Sequence, residues 1–494
     1  MNNQSCSSII LFLLFLSFHQ VSNAEVQWVQ RGSSLAGDLS GDSFGHSVST
    51  SFDGSVVAVG ATGNTSGYVR VFKYNGSSYL QQGQDILSQI KGDNFGQSIS
   101  LNFDGSVIAI GSTENSVDGD RTGHVYVYEY DRNVYIQRGK ALAGEEKSEE
   151  QFGFSLSLSL DASLLAVGAP NYSIKGDRRG IVRIFKYDGI NYVEERSDIL
   201  GELNLGFSGR SVSLSPDGSR LAVGAPFNND GGTFAGQVRV FEDNGTSFSQ
   251  IGQDLEGTQS ISYFGWSTAL SSDGSFLAVG AARQGQVQVF QFNGTAHSLR
   301  GKSLSGGSFD GFGETVALSF NADILAVGAP RTNYGTSQGD VTVYVFNGTE
   351  YIQYGQVIVG DDEDYSLGHS ISLNFDGSVL AIGVPNGQST GQVKIFHSVP
   401  LGNVELTLEP TIPPESTIVP TSPTQPPTQP PTLTFSQARL DKTGIAIGSA
   451  GFILAIAFIL GNFVLQRQKR LSNSKVNSVK TGDLDATFVD TQQV

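Results

Sequence analysis

Between residues 25 and 399 the apolar residues fall in short runs, alternating or continuous, bounded by Gly, Asp and Asn. Runs with those boundaries predict β-strands and tight turns. The runs also repeat. Seven segments open on one glycine and close on another: Gly45 to Gly60, Gly96 to Gly111, Gly153 to Gly168, Gly209 to Gly224, Gly265 to Gly280, Gly313 to Gly328 and Gly368 to Gly383. The interval is 15 in every case. A constant interval means that no insertion is tolerated there, as expected inside a packed hairpin. Each interval holds a turn such as Asp53-Gly54-Ser55, where glycine supplies the positive φ of a tight hairpin.

A third run follows, Tyr68-Val69-Arg70-Val71-Phe72-Lys73-Tyr74 in the first copy. Then comes a second turn, Asn75-Gly76, with Asn244-Gly245, Asn293-Gly294 and Asn347-Gly348 at the same place later. A fourth run, such as Tyr135-Ile136-Gln137-Arg138-Gly139, completes a four-stranded antiparallel meander of about 54 residues. Seven such units predict an all-β fold, a seven-bladed β-propeller, because radial packing leaves only short, protected edges. The last copy stops after its third run, Gln392-Val393-Lys394-Ile395-Phe396. Its missing strand has a match at the other end, where Val26-Gln27-Trp28-Val29-Gln30-Arg31-Gly32 resembles Tyr351-Ile352-Gln353-Tyr354-Gly355. The N-terminal strand is expected to complete the seventh blade.

The flanks carry a different pattern. Ile9 to Phe18 is apolar apart from Ser17, and Ser22-Asn23-Ala24 follows, so residues 1–24 read as a secretory signal peptide, though one without Lys or Arg. Residues 400–435 hold ten of the 15 prolines, with many Thr, Ser and Gln, and 400–442 reads as an extended stalk. Gly444 to Leu465 has no charge and is long enough for a bilayer core, placing a transmembrane helix at 443–465. Arg467, Lys469 and Arg470 follow it and assign the tail, 466–494, to the cytosol. The implied topology is single-pass type I, with the propeller outside the plasma membrane. Gly444-x-x-x-Gly448 and the small residues after it would let two spans approach as a dimer.

Charge narrows the partners. The formal charge is −17, from Lys+Arg 30 against Asp+Glu 47, which argues against nucleic acid. The one cysteine, Cys6, lies within the leader, so the mature chain would have none.

The pairing of Phe152-Gly153 with Leu164-Leu165-Ala166-Val167-Gly168-Ala169-Pro170 resembles the FG-GAP repeat of integrin α chains. The resemblance covers residues 25–399 and implies a seven-bladed extracellular propeller used in adhesion or ligand recognition. The departures are specific. Several integrin blades carry Asp-x-Asp-x-Asp-Gly between the two halves of the signature. Here each interval has one carboxylate: Asp53, Asp104, Asp161, Asp217, Asp273, Asp323 or Asp376. Calcium requires more oxygens than that, so no metal site is expected at these turns, and no cofactor. The Gly-Phe-Phe-Lys-Arg that follows the integrin span is replaced by Leu465-Gln466-Arg467-Gln468-Lys469-Arg470.

Repeat arithmetic locates the variable face. From each closing glycine to the glycine before the third strand the spacing is 7, 12, 12, 12, 5, 11 and 8. That loop should share a face with the connections between blades, opposite the tight turns, and variable loops on a rigid scaffold commonly bind. The candidates for ligand contact are Asp361, Asp362 and Asp364 in an acidic run with Glu363, Arg178 and Arg179 in a long loop, and Asn228 and Asp230 in another. Glu145, Glu146, Glu149 and Glu150 form a second acidic run, and Asp118-Gly119-Asp120 reads as a turn. Six sequons, at Asn64, Asn75, Asn171, Asn244, Asn293 and Asn347, suit N-glycosylation, although Asn-Gly also serves the turn itself. His46 and His369 share one repeat slot, which points to structure, and no catalytic motif appears.

The expected function is therefore non-enzymatic: binding of an extracellular protein or glycan ligand by a cell-surface glycoprotein. Two alternatives stay open at this point. One is a propeller-based glycan hydrolase, which would need paired acids converging on the central channel. The other is a lumenal or endosomal membrane protein.

Overall fold

In the computed structural model the described residues run from 26 to 401, leaving out 64–65, 117–120, 146–148, 195–196, 203–204, 308–309, 332–337 and 362–364. The leader, the stalk beyond Leu401, the span at 443–465 and the tail lie outside them. Among the described residues no helix is long and apolar enough to cross a membrane.

The strands form seven sheets, and each sheet is one blade. Blade 1 runs Phe44–Thr50, Val56–Ala61, Tyr68–Tyr74 and Tyr79–Gln81, each strand antiparallel to the last. A short fifth strand, Ile86–Leu87, returns to the start of the third, with Leu87 opposite Tyr68. The expected outer strand is thus broken in two, both halves pairing with the same neighbour. Blade 7 closes as expected: Val26–Gln30 pairs antiparallel with Gln392–Pro400, Val26 opposite Pro400 and Gln30 opposite Phe396. Blades are numbered from Phe44, so blade 7 joins the two ends of the described chain.

The second strand of blade 1, Val56–Ala61, is buried at every position. A strand covered on both faces reads as a continuous apolar run rather than an alternating one. Its two faces serve different interfaces: Val57, Val59 and Ala61 pack toward blade 7, and Val56 and Ala58 toward blade 2.

The signature glycines meet between blades. A Cβ built on Gly60 would lie 2.4 Å from the carbonyl oxygen of Gly96, and one on Gly224 would lie 2.2 Å from that of Gly265. At the ring closure, a Cβ on Gly383 would lie 2.1 Å from the Gly45 oxygen. The closing glycine of one blade therefore sits against the opening glycine of the next, too close for any side chain. The opening glycines also hold a positive φ, 94° at Gly45 and 86° at Gly265, which suits glycine alone.

Two further rings tie the blades together. The hydroxyl two residues after each opening glycine donates to the opening glycine carbonyl of the next blade. Ser47 donates to Gly96 at 2.7 Å, Ser211 to Gly265 at 3.0 Å, and Ser370 to Gly45 at 2.8 Å, completing the circle. At the tight-turn end, backbone amides do the same. Phe52 donates to Phe103, Phe103 to Leu160, Leu160 to Pro216, Ser272 to Phe320, Phe320 to Phe375 and Phe375 to Phe52. The one gap falls at Pro216, which has no N–H.

Candidate functional site at the loop face

The loops joining second to third strands lie beside the connections between blades. Gly63 N–H donates to Asp42, Glu114 to Asp93, Asn171 to Glu150 and Arg331 to Asp310. Glycines before the third strand bridge to the next blade, Gly67 to Phe95 and Gly236 to Phe264. The loop face is thus one woven surface, on the side expected from the spacing.

The opposite face is built of turns, and their polar atoms are used internally. The Asp53 carboxylate accepts from Ser51 Oγ at 2.8 Å and from Ser55 N–H at 2.9 Å. Burial opposes its ionisation, but those bonds outweigh it and hold its pKa below the ordinary value. In blade 6 the turn acceptor is Asn321, not Asp323, which pairs with Arg300 at 3.1 Å. The sequon asparagines do similar work. Asn244 Oδ1 accepts from the N–H of Thr246 and Ser247, and Asn75, Asn293 and Asn347 accept likewise. Blades 2 and 3 put Asp131 and Asp188 in that slot with the same bonds. A short side-chain acceptor is what the turn requires, and the four asparagines are also exposed. Asn171 lies half-buried on the loop face, and Asn64 is outside the described residues.

Of the two acidic runs, Asp361, Glu145 and Glu150 take part in the architecture. Asp361 pairs with Lys394 at 2.9 Å. The same geometry recurs between Asp38 and Arg70 at 2.7 Å, Glu145 and Arg183 at 2.8 Å, and Glu202 and Arg239 at 3.1 Å. In each case an acid after a connecting glycine reaches the third residue of the third strand. Glu150, fully buried, adds a second bond to Arg183 at 3.2 Å. Asp362 and Asp364, with Glu146, Glu363 and Asp118-Gly119-Asp120, fall outside the described residues. Arg179 is held by Asp177. Asn228, 2% exposed, donates to Gln237 Oε1 at 3.1 Å and accepts from Asp230 N–H at 2.7 Å, so it shapes its loop rather than facing a ligand. Arg178 and Asp230 are exposed, and the only candidate Asp230 meets among the described residues is Asn228, through its backbone N–H.

What the fold does bring together is the slot after each opening glycine. Its occupants are His46, Gln97, Phe154, Arg210, Trp266, Glu314 and His369, one per blade on the innermost strand or its approach. They meet across blade boundaries around the loop-face mouth of the channel. The His46 and His369 rings lie 5.0 Å apart. Arg210 is clamped, its guanidinium carbon 4.5 Å from the Phe154 ring centre and 4.1 Å from that of Trp266. Glu314 bonds Arg331 through one oxygen at 3.0 Å, and its other oxygen is buried without a partner.

The electrostatics follow from burial. Desolvation pushes the Arg210 pKa down to about 10, against the pull of Glu314. Burial likewise lowers His369 to about 4, helped by His46, Arg210 and Arg331, and lowers His46. Glu314 is raised by burial, against Arg331 and Arg210. At neutral pH the mouth thus holds two neutral imidazoles, a clamped cation and one buried carboxyl. These provide donors, an acceptor and aromatic faces, the usual makings of a recognition site. Paired acids, which the hydrolase alternative needs, do not occur among the seven slots.

The turn-face end of the channel is different. Phe103, Phe52, Phe375 and Phe320 stack in sequence, with ring centres 4.4, 3.8 and 3.9 Å apart. Phe52, Phe375 and Phe320 line an open cavity of about 140 Å³ together with Leu160, Pro216 and Ser272.

Sequence reasoning put the two histidines in one repeat slot but read them as structural, and it missed Arg210, Trp266 and Glu314. Reading the single slot down all seven copies would have found them, because its occupants are polar or aromatic where its neighbours are monotonous.

No family model and no curated protein matches the chain. Among solved structures it is similar to the crystal structure of the Myceliophteria thermophila Cps50 (Swd1) β-propeller domain. Identity is 12%, coverage 75% of this chain and 98% of that one, and the TM-score 0.48. The blade count and the closure rest on the strand pairing itself.

Proposed function

We propose that this chain is a single-pass type I cell-surface glycoprotein whose propeller binds an extracellular protein or glycan ligand through its loop face, in adhesion or recognition. The observation that carries the reading is the asymmetry of the two channel ends. The loop-face mouth gathers the charged and polar side chains of Arg210, Glu314, His46 and His369, whereas the turn-face end is ringed mainly by apolar side chains, Phe52, Phe103, Leu160, Pro216, Phe320 and Phe375. Gln392–Pro400 runs from the loop face to the turn face, where Ser398 N–H donates to Ser378, so Leu401, the last described residue, lies at the turn face. The four Asn-Gly sequons, at Asn75, Asn244, Asn293 and Asn347, would place their glycans on the turn face, away from the mouth. The leader and the apolar segment at 443–465 support the membrane topology, and the FG-GAP resemblance supports the extracellular role.

The test is a screen of the full chain against glycan and matrix-protein arrays, with and without calcium. The expected result is a binder whose retention falls when loop-face residues are substituted and not when turn-face residues are. Absence of any binder, together with hydrolysis of an arrayed glycan, would overturn the reading in favour of the enzyme.

A further inference from the structure

Two independent features of blades 4 and 5 set one side of the mouth apart. The first is backbone strain. The residue two before each opening glycine is left-handed in every blade, with φ of 54° at Ser43, 55° at Asn94, 56° at Gln151, 81° at Gly311 and 71° at Ser366. Blades 4 and 5 place Phe207, φ 53°, and Tyr263, φ 55°, in that slot. Two residues earlier, blades 1 and 2 have Gly41 and Gly92, while blades 4 and 5 have Leu205 and Ile261, still at φ 61°. Bulky side chains disfavour this region, and such strain concentrates where function holds it. Here it holds apolar groups at the surface. Leu205 and Ile261 are exposed, and Phe207, Phe227, Phe234 and Tyr263 form a half-buried wall, with Phe227 and Tyr263 ring centres 5.0 Å apart.

The second feature is Arg210. Both guanidinium faces are covered, by Phe154 and by Trp266, and Trp266 is backed by Tyr263 at 5.8 Å. Among the described residues no carboxylate pairs with it. Only the guanidinium edge is left for a ligand, and edge-on N–H donors match the paired oxygens of a carboxylate or a sulfate.

We propose that the loop-face mouth is a receptor for the anionic group of an acidic sugar, with Arg210 as the charged anchor and the aromatic wall of blades 4 and 5 as the platform for the sugar ring. This deepens the ligand-binding reading and rests on it. The choice of ligand follows from charge and shape. A single anchoring cation in a protein of net charge −17 suits a ligand with one charge and not a polyanion. His46, Gln97 and His369 supply neutral donors and acceptors around the same mouth for hydroxyls. The wall offers aromatic faces and edges to the C–H face of a pyranose. A carboxylated and a sulfated sugar share this chemistry, and the assay separates them.

The chain has two tryptophans, and Trp28 is buried in blade 7, so Trp266 reports on the mouth. The full-length protein is titrated at pH 7 and fixed ionic strength with methyl N-acetylneuraminate glycoside, N-acetylglucosamine 6-sulfate and neutral N-acetylglucosamine. One or both acidic sugars should change the Trp266 emission saturably, at least tenfold more tightly than the neutral one, and the tighter of the two names the source. Trp266→Phe should abolish the signal, and Arg210→Gln should weaken acidic-sugar binding at least tenfold. Because loss of binding could also follow misfolding, Glu314→Gln is the second variant. Removing the charge near Arg210 should tighten acidic-sugar binding severalfold, a gain that a damaged fold does not produce. Equal binding of acidic and neutral sugars, saturation by inorganic sulfate alone, or no tightening in Glu314→Gln would overturn the proposal. A protein ligand from the array that binds the loop face independently of Arg210 would overturn it too, while leaving the ligand-binding reading intact.

Discussion

Ring closure by the N-terminal strand makes Trp28 the side chain on which the propeller most depends. Trp28 is 2% exposed and packs with Val341, Val343 and Ile358 of blade 6 and Leu367 and Leu380 of blade 7. Its indole N–H donates to the Tyr354 carbonyl at 3.0 Å, and its backbone exchanges bonds with the Gln356 side chain at 2.9 and 2.6 Å. Trp28→Ala leaves a cavity and an unpaired carbonyl, for a loss of about 4 kcal/mol. Unfolding entropy of roughly 2.1 cal/mol/K per residue over about 370 residues converts that into a Tm drop of about 5 °C. Trp28→Phe keeps much of the ring contact and should cost about half as much. Position matters more than size, because Val26–Gln30 is the strand that covers the edge of Gln392–Pro400. Hydrogen exchange on Trp28→Ala should therefore show protection lost first in those two strands, before the other blades open. Deleting residues 25–35 should lower the melt further still. A Trp28→Ala loss below about 1 kcal/mol, or exchange that leaves Gln392–Pro400 as protected as the other blades, would refute the closure argument.

Other outcomes follow from the same structure. Gly224→Ala should cost several times more than Gly245→Ala in denaturant titrations. The first sets a Cβ 2.2 Å from a backbone oxygen, whereas the second meets only an unfavourable φ of 93° in open space, for about 1 kcal/mol. Ser211→Ala should cost about 1–2 kcal/mol by orphaning the Gly265 carbonyl between blades 4 and 5. Burial holds His369 and His297 at about 4, below the unfolded value near 6.5, so the unfolded chain takes up protons first. Stability should be full above pH ~6.5 and fall toward pH 5, by up to about 2 kcal/mol per histidine, and His369→Gln should flatten that slope. Reducing agent should leave the melting curve unchanged, since one cysteine cannot form an intrachain disulfide.

The propeller was legible in the chain because its constraints are local and repeated. A 15-residue interval between glycines, Asp-Gly and Asn-Gly turns, and apolar runs of strand length determine the hairpins, the blade count and even the closing strand. Backbone geometry demands those residues wherever a blade occurs, so seven copies announce themselves. The candidate site is not of that kind. Asp361 looked like a ligand contact within an acidic run, but the fold gives it to Lys394, as it gives Asp38 to Arg70. Asn228 looked polar and accessible but is buried within its own loop. Arg210, Trp266, Glu314 and His369 lie far apart in sequence, and their slot stands out only when all seven repeats are read together. The closing of the ring is what sets one slot from every blade around a common axis. There burial lowers the pKa of the histidines, while packing clamps the arginine between aromatic faces and leaves one carboxylate oxygen of Glu314 unpaired. The sequence by itself determined the blades, and the tertiary structure decided which side chains share a mouth, because burial and charge act through space and not along the chain.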